Sequence, residues 1–515
     1  MIYLDHAATT PLDDRALQAM LPWLREAHGN PASDHAFGRA ARAAVEQARR
    51  QVAALLGAQA EEIIWTSGAT ESNNLAIKGA LEFRGLRGAH VVSSRIEHKS
   101  VVDTCRHLES QGLRVSWLKP DAQGCIAVEQ VLAALSPETA LVSLMWVNNE
   151  TGVINPVAEL APLLRARGIL LHVDAVQAAG KLPIDLAATP IDLLSLSAHK
   201  LGGPKGVGAL FVRKRPRARL SPQLHGGGHE QGMRSGTLPT HQIAGFGAAC
   251  ELAGDSLGAE SQRLAGLRDR LQQRLQAALP RTHLNGHPLL RAPQILNLGF
   301  EGVEGESLRA RLPGLAVSSG SACSSATREP SYVLRALGRD DELAGSSLRF
   351  SLGRSTTEGD VDRAADVVIA AVQALRRIAG DPAGAPAAIA LPQHNDHGYP
   401  AAVWAAFADP AHAGRELPGA VEASAGSPAG AQRLSLMAEL RDGRVARAGF
   451  RAYGCPATLA VGEWLAAWLE GRRPEELQLS AADLRTELEI NDDKSHCALL
   501  GEDAVLALRR QMSVA

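Results

Sequence analysis

The sequence predicts an α/β fold in which an open sheet binds a ligand at the carboxyl ends of its strands. Two observations predict this fold: short apolar runs with the length of buried strands recur along the chain, and polar or small residues follow each run. Ligands of open α/β sheets lie outside the carboxyl ends of the strands, so these residues are expected to form one site. The apolar runs cover residues 62–65, 89–94, 141–147, 168–173 and 191–196.

The first three runs lead into residues that can bind an anion or move a proton. Residues 62–65 precede a small-residue turn, 66–72, whose backbone N–H groups at Ala69 and Thr70 can bind a phosphate. The second run ends near His98, which can stack on a flat ring and transfer protons. The third ends at Asn149, whose amide can contact a cofactor or a substrate. Each signal is weak alone, because a single histidine or a small-residue turn is usually structural.

The last two runs indicate which ligand the site binds. Residues 191–196 end at Lys200, and a lysine at the end of a buried strand can lose its charge and become a nucleophilic amine. A Schiff base with pyridoxal phosphate requires such an amine. Asp174, at the end of residues 168–173, can keep the pyridine nitrogen of that cofactor protonated, and Gln177 can reach its ring hydroxyl. The side chains of Thr70, Ser197 and His199 would add donors for the phosphate.

Residues 1 to about 378 resemble the cysteine desulfurases of the IscS/NifS type, in the class V aminotransferase group of fold-type I pyridoxal-phosphate enzymes. The resemblance implies a large domain over about 15–255 with a mixed, mostly parallel sheet. It also implies a smaller α+β domain built from the N-terminus and about 256–378. The matching stretches are residues 3–11, 29–33, 66–72, 197–200, 226–230, 234–237, 318–323 and 348–353.

The resemblance also implies an activity and the residues that perform it. L-Cysteine would be converted to L-alanine, and its sulfur would become a persulfide on Cys323, which lies in a loop of small and polar residues. Arg349 would bind the substrate carboxylate with Asn149 nearby. Thr237 would donate to the cofactor phosphate of the neighbouring subunit, so a homodimer is expected. The form of residues 318–323 favours a desulfurase that delivers sulfur to proteins of iron–sulfur assembly over a selenocysteine lyase.

Two alternatives stay open. One is another pyridoxal-phosphate reaction, such as transamination or selenocysteine cleavage. The other is a non-catalytic platform for iron–sulfur assembly whose first half is a decayed enzyme. The presence of all the expected catalytic residues argues against the platform.

Composition limits the partners and the compartment. The formal net charge of −2 at pH 7 gives no attraction to nucleic acid or anionic membrane. No apolar stretch is long enough to span a bilayer, and the sequence begins without a signal-peptide pattern, so a cytoplasmic protein is expected. The 6 cysteines are scattered without CxxC pairs, which argues against a disulfide framework and fits a reducing compartment.

A second domain is predicted after an Ala/Pro/Gly-rich linker at 379–395. Residues 396–515 resemble the IscU-type iron–sulfur scaffold, also known as the N-terminal NifU module, with an α+β fold. Cys455 and Cys497 are expected at helix N-termini, where the helix dipole lowers the pKa of a thiol. The family has a cysteine followed two positions later by an aspartate where this chain has Gly430 and Gln432.

Because the family's cysteine and aspartate are replaced at these two positions, three hypotheses remain for this second domain. Cys455 or Cys497 relays sulfur, or the domain is degenerate and serves only for docking, or Cys455, His496 and Cys497 hold a metal ion that another group completes. A [2Fe–2S] cluster normally takes four protein ligands, so any cluster here would be transient or would recruit a further ligand such as Cys323.

Overall fold

The computed structural model describes residues 1–85, 88–320, 329–381, 395, 397–426 and 432–513. Cys323, Gly430 and most of the linker predicted at 379–395 lie outside the described residues.

Among the described residues, the largest sheet has seven strands in the order β2-β8-β7-β6-β5-β3-β4. All neighbouring pairs are parallel except those of β8, which runs antiparallel to β2 and β7. Five of these strands are buried along their whole length, as expected for a sheet covered on both faces. The strands are β2 (Ile63–Thr66), β3 (His90–Ser94), β4 (Arg114–Leu118), β5 (Thr139–Ser143), β6 (Leu170–Asp174), β7 (Leu193–Ser197) and β8 (Gly208–Val212).

One predicted strand ends well before its apolar run does. The run at 141–147 was expected to be extended throughout, but β5 ends at Ser143. The next residues leave the ladder with β3 and instead donate backbone hydrogen bonds from Leu144 to His172 and from Trp146 to Asp174. Asn149 is therefore reached through a buried irregular segment.

Helices cover the sheet, and one of them extends beyond it. Helix α7 (Thr240–Ala278) has 39 residues, so it is about 58 Å long. Its first half packs on α1 and α2, and its second half contributes Leu264, Leu271 and Leu275 to a different apolar core. The helices of this part are α1 (Asp14–Arg25), α2 (Ala36–Leu56), α3 (Ala69–Arg84), α4 (Lys99–Ser110), α5 (Val128–Ala133) and α6 (Val157–Arg165).

A smaller layer contains an antiparallel sheet in the order β12-β10-β9 and a parallel pair of β1 with β11. The N-terminus therefore pairs with residues more than 300 positions away, at Leu315 and Ala316. The strands are β1 (Ile2–Tyr3), β9 (Thr282–Leu284), β10 (Ile295–Phe300), β11 (Leu315–Ala316) and β12 (Ser347–Ser351). The helices are α8 (Gly305–Ala310), α9 (Tyr332–Ala336), α10 (Asp341–Gly345) and α11 (Glu358–Ile378).

The C-terminal region packs three antiparallel strands, in the order β13-β14-β15, against helices. Its apolar core is continuous with that of the smaller layer. The guanidinium of Arg311 lies 4.6 Å from the ring centroid of Phe407 and donates to its carbonyl at 2.7 Å. The elements are α12 (Ala401–Ala408), β13 (Val421–Gly426), β14 (Arg433–Arg441), β15 (Arg444–Tyr453), α13 (Pro456–Leu469), α14 (Ala481–Glu487) and α15 (Ser495–Met512).

None of the described helices is both long enough and apolar enough to cross a lipid bilayer.

Candidate active site

A cavity of about 480 Å³ lies at the carboxyl ends of the parallel strands, within the size range of small-molecule sites. Ten of the residues singled out in the sequence line it: Ala69, Thr70, His98, Asn149, Asp174, Gln177, Ser197, His199, Lys200 and Arg349. Thr237 is exposed on a loop and does not line this cavity. Cys323 lies outside the described residues.

Lys200 closes one side of the cavity. It ends the short turn Ala198–Lys200 that follows β7, and its ammonium donates to the carbonyls of Ala7 at 2.5 Å and Ala8 at 2.6 Å. Gln177 donates to the same Ala7 carbonyl at 3.0 Å. The N-terminal segment therefore covers the lysine and fixes the direction of its side chain.

A continuous chain of hydrogen bonds joins Asp174 to His98. The amide of Asn73 donates to Asp174 Oδ2 at 2.9 Å and to Ser100 Oγ at 2.8 Å. Ser100 Oγ lies 2.8 Å from His98 Nδ1, which also accepts from the Ser100 backbone N–H at 3.2 Å. Asn73 is completely buried in α3. The candidate cofactor-binding carboxylate of Asp174, in β6, is thus joined to the candidate catalytic His98, at the start of α4, by Asn73 and Ser100, neither of which was singled out in the sequence.

The turn after β2 has the form of an anion site. Gly68 has φ of +153°, a conformation that favours glycine, and α3 begins there without a side-chain cap. Ser67 N–H donates to Glu71 at 2.8 Å, and Glu71 is in turn paired with Arg234 at 2.9 Å. These contacts hold the turn in place. The first residues of α3 line the cavity, and their N–H groups with the helix dipole would stabilise a phosphate there.

Arg349 and Asn149 are neighbours in the lining of the same cavity. Arg349, in β12, is 1% exposed and donates to the Asn149 carbonyl and to Asp5 Oδ1, each at 2.8 Å. Arg349 Nε and Asn149 Oδ1 are buried without a hydrogen-bond partner among the described residues. Buried polar groups are rarely left unsatisfied, so these two atoms point to a polar ligand.

The side chain of Asn148 fixes the position of Asn149. The Asn148 side-chain oxygen accepts from the backbone N–H groups of Glu150 and Thr151, each at 2.9 Å, and its amide donates to the Ile96 carbonyl at 2.9 Å. This side chain closes the turn at 148–151 and ties it to the residues that precede His98.

His199 is held as a neutral ring. Burial, with help from the charges of Lys200 and Lys205, lowers the pKa of His199 to about 4. Its Nδ1 lies 3.1 Å from Thr9 Oγ1, and its backbone carbonyl accepts from Thr10 Oγ1 at 2.9 Å. A neutral imidazole at this position can form a hydrogen bond with a ligand and carries no charge of its own.

Two buried acids near the site were not singled out in the sequence. Burial raises the pKa of Glu97 to about 8, and Glu97 accepts from Ser94 Oγ at 2.6 Å and from the Met145 N–H at 2.8 Å. Burial also raises the pKa of Glu150, which accepts from Ser331 Oγ at 2.5 Å. Glu150 follows directly after Asn148-Asn149, and this position was the only sequence signal that could have indicated it.

The C-terminal region contains a second cluster of candidate residues. Cys455 caps α13 and Cys497 lies in the first turn of α15, as the sequence predicted. Their sulfur atoms are 3.6 Å apart and share a hydrogen bond, which lowers the pKa of Cys455 and raises that of Cys497. Among the described residues, no three His, Cys, Asp or Glu side chains stand close enough together to hold a metal ion. The metal site expected from Cys455, His496 and Cys497 is therefore not assembled by these side chains.

The fold and the first site together define a fold-type I pyridoxal-phosphate enzyme. The cavity contains an amine at a strand end, a carboxylate for a ring nitrogen, an uncapped helix start for a phosphate and a histidine. Of its buried atoms without a partner, the Arg349 Nε–H group can donate to an anionic group of a ligand, and Asn149 Oδ1 can accept from a ligand donor. The residues present therefore suit this cofactor.

The chain belongs to the class V aminotransferase family, whose model, "Aminotransferase class-V", matches residues 2–364. Residues 398–510 match a second model, "NifU-like N terminal domain". The chain is 56% identical over 380 residues to the cysteine desulfurase IscS of Azotobacter vinelandii, covering 73% of this chain and 94% of that protein. It is 54% identical over 378 residues to the cysteine desulfurase IscS of Methylococcus capsulatus, with the same coverage of 73% and 94%.

Solved structures agree with this family. A NifS-like protein superimposes with a TM-score of 0.67 at 35% identity, covering 72% of this chain and 98% of that one. SspA in complex with cysteine superimposes with a TM-score of 0.62 at 37% identity, covering 68% of this chain and 99% of that one.

Proposed function

We propose that this chain is a pyridoxal-phosphate-dependent cysteine desulfurase that converts L-cysteine to L-alanine and transfers the sulfur to Cys323. One observation carries the proposal: Lys200, the hydrogen-bonded chain from Asp174 to His98, and Arg349 all face a single cavity. Relatives named cysteine desulfurase, at more than half identity, support the same reaction.

Each residue has a distinct task in this reaction. Arg349 binds the substrate carboxylate through its unpaired Nε, and the Asn149 amide accepts from a substrate or cofactor donor. Lys200 and Asp174 hold the cofactor, and the first turn of α3, with Ser197 and His199, receives its phosphate. Pyridoxal phosphate, when bound, supplies an electron sink for the pair left by the substrate α-proton. His98, oriented by Ser100, moves protons at the edge of the cavity.

Cys323 takes the sulfur. Its thiolate forms a bond to the substrate sulfur while the carbon–sulfur bond of the substrate breaks, and the carbon keeps the electron pair and gains a proton to become the methyl group of alanine. Glu150 accepts from Ser331, which lies eight residues beyond Cys323 in the sequence.

The C-terminal region of the same chain is the proposed sulfur acceptor. Ser307 Oγ, in α8, donates to the Gly454 carbonyl at 2.8 Å, and this contact is buried. Gly454 precedes Cys455, so the acceptor thiol lies beside the contact with the smaller layer. This contact beside Cys455 supports the assignment of Cys455 as the thiol that receives sulfur for iron–sulfur assembly.

A homodimer completes the proposal. Thr237 is exposed and does not line the cavity of its own chain, which suits a side chain that serves the cofactor phosphate of a second copy. A cytoplasmic location stays a prediction from the sequence.

Mapping persulfides by mass spectrometry tests the reaction. The purified holoenzyme receives L-cysteine without reductant, and thiols are blocked at short intervals. We expect a persulfide on Cys323 that later appears on Cys455, and an unchanged time course in the Cys250→Ser control, which alters a buried helical cysteine away from the cavity. Persulfide confined to Cys323, with no disulfide formed between Cys455 and Cys497, would remove Cys455 as the acceptor, and absence of persulfide from protein that carries its cofactor would overturn the desulfurase.

A further inference from the structure

Two cysteines of the C-terminal region face each other in a buried site. Cys455 Sγ and Cys497 Sγ are 3.6 Å apart, and the side chains are 3% and 0% exposed. Thr458 Oγ1 lies 3.7 Å from the first sulfur and donates to the second at 3.4 Å. A disulfide bond is about 2.05 Å long, so a movement of about 1.5 Å would join the two sulfurs.

The Gln432 carboxamide lies between the candidate metal ligands. Its Nε2 is 3.8 Å from Cys455 Sγ and 3.1 Å from His496 Nε2, and its Oε1 is 3.8 Å from Cys497 Sγ. An amide in this position contacts all three side chains that the sequence analysis had assigned to a metal. The two sulfurs remain directly opposed, which is the arrangement of a dithiol.

We propose that Cys455 and Cys497 form a redox-active dithiol that reduces the sulfur delivered by Cys323 and releases it as hydrogen sulfide. This proposal rests on the proposed desulfurase activity as the source of the sulfur. Persulfide sulfur is oxidised relative to sulfide, and iron–sulfur assembly needs the reduced form. The dithiol supplies the two electrons.

The chemistry balances in two steps. Cys455 attacks the outer sulfur of the Cys323 persulfide, so a persulfide forms on Cys455 and the Cys323 thiol is restored. Cys497 then attacks Cys455 Sγ, a disulfide forms, and the outer sulfur leaves as HS⁻, which takes up the proton lost by Cys497. The two thiols are oxidised and the sulfur is reduced. Repeated turnover requires a thiol reductant to reopen the disulfide.

The structure distinguishes the roles of the two cysteines. Cys455 keeps slight exposure and follows Gly454, which is bonded to Ser307 in α8, so it is the residue that receives sulfur. Cys497 is fully buried beneath it and contacts Cys455 Sγ, so it is the residue that resolves the persulfide.

A single-turnover experiment tests the dithiol. Fully reduced holoenzyme, freed of reductant under anaerobic conditions, receives equimolar L-cysteine, and alanine, sulfide and the disulfide-linked peptide are measured in the same samples. We expect sulfide and the Cys455–Cys497 disulfide to appear in equal amounts. Cys497→Ser is expected to lose sulfide release to the level of a protein-free control and to accumulate persulfide on Cys455. Cys250→Ser is the matched control and should behave as the unaltered protein.

A second arm separates this proposal from the desulfurase itself. Inorganic polysulfide is added to the reduced Lys200→Ala variant, which bypasses the cysteine reaction. The dithiol is supported if the Lys200→Ala variant releases more sulfide than the Lys200→Ala/Cys497→Ser double variant and forms an equal amount of disulfide. This result would hold even if alanine is never formed from L-cysteine. Equal sulfide release with and without Cys497 in both arms would overturn it, as would sulfide release with no disulfide.

Discussion

Lys494 Nζ, at the start of α15, donates to Glu306 Oε2 in α8 at 2.6 Å, and the Tyr399 hydroxyl bonds to the other oxygen of the same carboxylate. The Lys494 side chain is only 9% exposed and lies 5.6 Å from the Tyr399 ring centroid. The ion pair therefore joins the C-terminal region to the smaller layer beside the Ser307–Gly454 contact that positions Cys455. The contacts that hold the C-terminal region against the smaller layer therefore lie next to Cys455, the proposed sulfur acceptor.

Replacing Glu306 by glutamine should loosen this surface. The change leaves the Lys494 charge nearly buried and without its carboxylate, at a cost of about 1–3 kcal/mol, since the Glu306 side chain keeps 31% exposure. Amide hydrogen exchange should become faster in peptides from α8 and α15. Asp492→Asn, which alters an exposed ion pair with Arg485, is the control and should leave exchange unchanged. Equal exchange in the two variants would contradict a structural role for the pair.

Lys200→Ala should abolish cofactor attachment and turnover together. The amine is the group that would attach to pyridoxal phosphate, and its strand-end position leaves no other residue of the turn Ala198–Lys200 to replace it. Visible absorption of the bound cofactor and alanine formation are both expected to be lost. Lys214→Ala, an exposed lysine beyond β8, should keep both properties. Alanine formation by the Lys200 variant would disprove the assigned role.

Arg349→Lys should weaken substrate binding with a smaller effect on kcat. Lysine keeps the charge but cannot make the forked contact or supply the Nε–H group that is unsatisfied in the structure. A charged hydrogen bond contributes about 1.5–3 kcal/mol, so KM for L-cysteine should rise about 10- to 100-fold. Steady-state kinetics measure the two constants separately. An unchanged KM would show that another residue binds the carboxylate.

Glu230→Gln should destabilise the large sheet. Glu230 forms two hydrogen bonds with the Arg49 guanidinium, at 2.8 and 2.9 Å, and accepts from the Trp65 N–H at 2.8 Å. Breaking a buried ion pair costs about 3–5 kcal/mol because the remaining charge is left uncompensated. The free energy of unfolding measured with urea should fall by this amount.

The exposed partner of the same arginine provides the control for that prediction. Glu46 lies 3.2 Å from Arg49, but 46% of its side chain is exposed. Glu46→Gln should cost less than about 1 kcal/mol. If the free energy of unfolding falls by similar amounts in the two variants, burial of the pair is not what stabilises this contact.

His172→Gln should reduce the sensitivity of the fold to acid. Burial lowers the pKa of His172 from 6.5 to about 4, and its ring lies 2.8 Å from Ser143 Oγ and 3.0 Å from Ser195 Oγ. The unfolded chain takes up the proton first, so the contribution of this histidine to stability is present above pH about 6.5 and is lost as the pH falls toward about 4.

Urea midpoints at about pH 7.5 and about pH 5 measure this effect. The midpoint of the glutamine variant should fall less between the two conditions than that of the unaltered protein. His107→Gln, at an exposed position, should leave the pH dependence as it was. A parallel fall in all three proteins would show that His172 does not titrate on unfolding.

The sequence by itself determined where the chemistry of the first site lies. Lys200, Asp174, Asn149 and His98 follow buried apolar runs, and parallel strands bring their carboxyl ends to one edge of a sheet, so pattern alone was enough to group them. The thiols of Cys455 and Cys497 were likewise expected at helix N-termini from the residues that follow them.

Only the tertiary structure decided how these groups are connected. Asn73 forms hydrogen bonds with Asp174, which is 101 residues away, and with Ser100, which is 27 residues away. Glu230 pairs with Arg49, which is 181 residues away. No local sequence pattern encodes contacts over such separations. The irregular path after Ser143 likewise follows from hydrogen bonds to a neighbouring strand. The sequence identified Gln432 only as the replacement of an aspartate. Its position between Cys455 and His496 is set by folding, because the contacts of a side chain depend on the packing of distant segments.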